Sequence, residues 1–112
     1  MSDQQTIDRA EWPTFFVAFS NANRGRAIAV TVDDPGLGRS CLNDGVPLLA
    51  LDYDPADRGD DLIITIGRDS VEATHVIRSP IEVTELRDDQ GAVTGLRILD
   101  HGGATTQLAF NK

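Results

Sequence analysis

The chain has 112 residues, of which 40% are hydrophobic and 25% charged, the make-up of a single globular domain spanning residues 1–112. Its formal net charge of −8 argues against nucleic-acid binding, which needs Lys and Arg to meet phosphates, and against docking on an anionic membrane. No apolar run approaches the roughly 18 residues of a membrane-spanning helix, and the opening Met-Ser-Asp-Gln-Gln-Thr lacks the basic start and apolar core of a secretion signal, so a cytoplasmic location is expected.

Residues 1–6 are polar and are expected to be disordered. A helix is expected over 8–24. Asp8 and Glu11 have the spacing of a capping box, and Pro13 calls either for a short turn ahead of the helix or for a distorted first turn. Four of the six aromatic residues lie on this segment. Trp12, Phe15, Phe16 and Phe19 fall at i, i+3, i+4 and i+7, one helical face, and read as structural core. Asn21, Asn23 and Gly25 supply the stop, with Gly25 suited to the left-handed position after the last turn.

Everything from 26 to 110 reads as β-rich. Residues 26–33 alternate, with Ile28, Val30 and Val32 on one side. The stretch 39–45 reads as irregular. A second strand is expected over 46–52, where Pro47 favours an edge. Residues 62–67 are apolar on both faces, as a central strand would be. Further runs over 71–78, 81–87, 93–99 and 105–110 are separated by turn residues, and the last two flank Gly102-Gly103 as a hairpin. The fold class expected is α+β. It consists of an N-terminal helix packed on a small, mostly antiparallel curled sheet, or on an SH3-like or Sm-like barrel, of five to seven strands.

Few residues point to chemistry. His75 falls in phase with Val71, Ala73 and Ile77 on an expected strand and is the candidate catalytic residue, although Glu72 points the other way. The acidic loop 52–61 holds Asp52, Asp54 and Asp57, candidate ligands for a hard cation. It departs from a calcium-binding loop at Ala56 and Asp57 and lacks the closing glutamate. His101 reads as a turn residue. Cys41, the only cysteine, suits a reducing compartment and has no base beside it. Ser20, Ser40, Ser70 and Ser79 have no neighbour that would activate them. No phosphate loop, zinc spacing or nucleophile elbow is present, and no cofactor is expected.

The opening Glu11-Trp12-Pro13-Thr14-Phe15-Phe16, followed by Phe19-Ser20 and Gly25, resembles that of a family of small bacterial proteins known only as a domain of unknown function. The similarity continues through Pro47-Leu48-Leu49-Ala50-Leu51-Asp52, His75-Val76-Ile77, Ser79-Pro80-Ile81-Glu82-Val83 and the closing Gly103-Ala104-Thr105-Thr106-Gln107-Leu108-Ala109-Phe110. It implies a stand-alone bacterial protein and no particular site. Three functions are in view. One is a non-catalytic binding or assembly module, self-associating through strand edges. A second is an acidic, antitoxin-like inhibitor of a basic protein. The third is a small enzyme or ligand-binding protein that uses His75.

Overall fold

Proline near the start of a helix is harmless, because the first-turn N–H groups have no intrahelical acceptor. In the computed structural model, which describes residues 3–55 and 59–110, helix α1 (Trp12–Asn23) accordingly begins at Trp12 and carries Pro13 in its first turn. A 3-10 turn, Arg9–Glu11, precedes it. The helix expected from residue 8 is therefore a turn and a helix in series. The capping box does not form: Asp8 makes no side-chain cap, and its carbonyl accepts the Glu11 N–H at 2.9 Å. After Asn23 the chain leaves the helix through Gly25, whose φ of 90° lies in the left-handed region.

Among the described residues eight strands follow the helix or flank it: β1 (Asp3–Thr6), β2 (Ala27–Asp34), β3 (Gly38–Asp54), β4 (Asp61–Ile66), β5 (Ala73–Arg78), β6 (Pro80–Arg87), β7 (Val93–Asp100) and β8 (Thr105–Phe110). They form one antiparallel sheet in the order β1-β6-β7-β8-β2-β3-β4-β5. The architecture is α+β with a curled sheet, and no closed barrel is formed. The strand count exceeds expectation by one strand, β1, and β3 is longer than the expected 46–52. Residues 3–6, expected to be disordered, pair with β6 from Thr6↔Thr84 to Asp3↔Arg87. The stretch 39–45, expected to be irregular, runs along β2 with register shifts after Ile28 and after Val30. Bulges of this kind break the side-chain alternation by which a strand is recognised.

β3 is the pivot of the fold. Its first part, from Gly38 to Pro47, pairs with β2. Its second part, from Leu48 to Asp54, pairs with β4. The switch falls at Pro47, which has no N–H to give to a ladder. The chain thus turns from one layer into another, and β4 lies one place from the sheet's end and not at its centre.

Helix α1 occupies the place where a closing strand would sit. The Ser20 hydroxyl accepts the Leu51 N–H at 2.7 Å and donates to the Leu51 carbonyl at 3.1 Å. The Gly25 N–H donates to the Leu48 carbonyl at 2.8 Å, and Arg24 Nε to that of Leu49 at 3.0 Å. The free edge of β3 is satisfied by a helix, so the sheet has no need to close there.

The apolar faces meet in one core, to which α1 gives Trp12, Phe16 and Phe19, all buried. Phe15 is half-buried at its margin. Trp12 meets the Tyr53 ring edge-on at 5.5 Å, and Phe19 stacks on Phe110 at 5.7 Å. The Trp12 indole N–H donates to the Ile7 carbonyl at 3.0 Å. Phe16→Ala is expected to cost about 3–5 kcal/mol, measured by denaturant unfolding. A loss under about 1 kcal/mol would show that the helix does not complete the core. Ser20→Ala, which orphans the Leu51 N–H and C=O, is expected to cost about 1–3 kcal/mol by the same measurement.

Candidate cleft at the open end of the sheet

The β4–β5 connection is tight because Gly67 has no side chain. A Cβ there would lie 1.9 Å from the Ser70 carbonyl oxygen. The Gly67 N–H is bonded to the Pro47 carbonyl at 3.0 Å. This anchors β5 as the last strand of the sheet, paired with β4 from Asp61↔Arg78 to Ile66↔Ala73. Side chains directly opposite in an antiparallel pair share a face. His75 therefore lies on the same face as its partner Ile64, the face that also carries buried Leu62, Ile66 and Ile77.

Between β5 and the bent part of the sheet lies a cleft of about 240 Å³. Val30, Ile64 and Ile66 form its apolar floor, and Leu42, Asn43, Ala73, Thr74 and His75 line the rest. Asn43 is buried. Its amide nitrogen donates to the Ile28 carbonyl at 2.8 Å and the Val46 carbonyl at 3.2 Å. It thereby holds the bulged stretch of β3 against β2 and keeps only its side-chain oxygen for another partner. His75 is half-buried. Burial pushes its imidazole below the ordinary 6.5, and the Asp100 carboxylate opposes that in part. The ring is neutral at pH 7, with one donor and one acceptor nitrogen.

The other sequence candidates lie elsewhere. Asp52 and Asp54 are exposed on β3, and Asp57 lies outside the described residues. Among those residues no group of three or more His, Cys, Asp or Glu side chains is placed to hold a metal ion. Cys41 is exposed. His101 sits in the β7–β8 turn, where its N–H donates to the Ser79 carbonyl at 2.9 Å.

Two further features were not read from the sequence. Asp60 and Ser79 both have left-handed backbones, with φ of 54° and 52°, and the Ser79 N–H donates to the Asp60 carbonyl at 2.8 Å. Arg9 fastens this corner. It reaches the Asp60 carboxylate at 2.9 Å and the Pro80 carbonyl at 3.2 Å, and lies 4.6 Å from the Trp12 ring centre. The Tyr53 hydroxyl joins the same carboxylate at 3.3 Å, and burial raises its pKa. Every polar contact there ties one element to another, so the corner is a structural staple. A second, wider groove runs under α1 past Phe15, Glu85, Arg87 and Val93. Its buried Glu85 is paired with Arg87.

Residues 3–112 match the model of a family described as a family of unknown function, DUF5335. The chain belongs to this family. No curated protein and no solved structure matches the chain. The family's description names no activity, so the cleft must be judged on its own chemistry. Among the described residues no helix is long and apolar enough to cross a membrane.

His75 sets a sign for the pH dependence. A histidine whose folded pKa is lowered binds fewer protons folded than unfolded, so it removes stability as pH falls through the unfolded value near 6.5. Urea midpoints are expected to drop from pH 7 to pH 5.5, and less steeply in His75→Gln. An NMR titration of the His75 ring is expected to show a midpoint below 6.5.

Proposed function

We propose that this chain is a non-catalytic binding module of the cytoplasm, and that the cleft between β5 and the β2–β3 layer is its binding site. The observation that carries this reading is the composition of the cleft wall. An apolar floor with a few convergent polar groups is the ordinary form of a ligand site, and here the polar groups are the Asn43 side-chain oxygen and the neutral His75 ring. The volume of about 240 Å³ is below the roughly 300–1,000 Å³ of sites for drug-sized ligands. It suits a compact, mostly apolar, uncharged group bearing one hydrogen-bond donor for Asn43.

A catalytic reading has less support. General-base work by His75 needs an activated nucleophile or an orienting partner, and among the described residues its ring is influenced by burial and by the charge of Asp100, with no side-chain hydrogen bond to either nitrogen. The lone cysteine, exposed and unpaired in a disulfide, supports a reducing compartment.

The test is an NMR titration of the isotopically labelled chain with indole and with short aliphatic amides. Saturable shifts are expected at Val30, Ile64, Ile66, Thr74 and His75, and Ala73→Phe, which fills the cleft mouth, is expected to abolish them. Shifts that do not saturate, or that scatter over the surface, would refute the site.

A further inference from the structure

We propose that two copies of this chain associate by antiparallel pairing of their β5 edges across a two-fold axis at His75. This goes beyond the cleft reading and does not depend on it. The pairing uses the outward backbone groups of β5, and it shares Thr74 and His75 with the cleft wall, so the association is read by mass and the cleft by ligand titration.

The sheet has two end strands, β1 and β5, and natural proteins blunt such edges with shortness, charge, proline or bulges. β1 is four residues, all polar. β5 is six residues, Ala-Thr-His-Val-Ile-Arg, without proline, and its register on β4 runs without a shift. Val76, on its outer face, is 42% exposed. The phase of the β4–β5 ladder tells which backbone groups are free. The Ser79 N–H donates to the Asp60 carbonyl, one step beyond the Arg78↔Asp61 pair. Hydrogen-bonded pairs alternate with non-bonded ones in an antiparallel ladder, so Ile77 and His75 use their N–H and C=O on β4. Those of Thr74, Val76 and Arg78 point away from the sheet.

A second β5 laid antiparallel on that edge must choose a register, and the side chains choose one. With the axis at His75, Thr74 faces Val76 of the partner copy, and Val76 faces its Thr74. Both are the outward-pointing residues, so they form the hydrogen-bonded pairs. One step further out, Glu72 faces the partner copy's Arg78 and Arg78 its Glu72. An opposite-charge pair thus closes each end, with Glu72 just before β5 and its own N–H on the Ile66 carbonyl at 2.9 Å. Glu72 spends one carboxylate oxygen on the Arg68 N–H at 2.9 Å, which fixes the side chain and leaves the other oxygen to pair. Moving the axis to Thr74 or to Val76 separates both charge pairs. The segment from Glu72 to Arg78 is therefore complementary to itself in one register only, as an isologous interface requires. A strand pair of this length is a small interface, so the dimer is expected to be reversible and micromolar. The copies repel through their net charge of −8 each, a force screened beyond about 8 Å at physiological salt.

The test is sedimentation velocity on the full chain at physiological ionic strength, from micromolar to hundreds of micromolar. The wild type is expected to shift from monomer to dimer. Glu72→Arg alone and Arg78→Glu alone each place like charges opposite one another at both ends, and each is expected to weaken association about tenfold or more. The double variant Glu72→Arg with Arg78→Glu is expected to restore it. Val76→Pro removes an N–H that β4 does not use and is expected to yield a monomer whose far-UV circular dichroism matches the wild type. A wild type that stays monomeric throughout would overturn the proposal, leaving the edge to a strand of some other protein. So would a dimer indifferent to both single charge reversals, or to Val76→Pro in a folded chain.

Discussion

The two hydrogen bonds between the Ser20 hydroxyl and the backbone of Leu51 are the point on which the architecture turns. A strand edge inside a core must find partners for its N–H and C=O groups or lose free energy comparable to the missing bonds. In a barrel the next strand supplies them. Here a helix does, through one serine, Arg24 and the turn at Gly25. With that edge satisfied, α1 can lie beside the second part of β3 and direct Trp12, Phe16 and Phe19 into the core. The sheet then stays open at β5, and the cleft beside it exists because the ring was never closed.

The helix and its buried face were legible because an aromatic tetrad at helical spacing has few other readings. The later strands were legible because each alternates between turn residues. What could not be read depends on partners distant in sequence. Residues 3–6 look like a frayed end until β6 is placed beside them. The stretch 39–45 loses its alternation because two register shifts pass through it. Pro47 reads as an edge signal, and it marks an internal exchange of partners. Residues 62–67 look central because Ile63 and Thr65, on the outer face, are as β-prone as the buried Leu62, Ile64 and Ile66.

The same division holds for the site. His75 stood out from its place among apolar neighbours, and the structure sets it at a cleft. Asn43 did not stand out, since an asparagine in an apparently irregular stretch looks like a turn residue. Its role emerges only when its amide is seen holding Ile28 and Val46. The acidic loop drew attention by density of charge, yet Asp52 and Asp54 are exposed residues of a strand that continues past them. Charge density reports solvation as readily as chemistry.

The pairing of β1 with β6 and of β2 with β8 joins positions about eighty residues apart. On the ribosome β1 and β2 emerge well ahead of β6 and β8, and each waits for that partner. β2 can meet β3 early, since a short turn joins them, but the apolar face of α1 stays uncovered until the later strands arrive. A chain with so many distant pairings collapses late and crosses its folding barrier on the slow side for its size. During that interval the aromatic face of α1, made ahead of the strands that cover it, stays in contact with water.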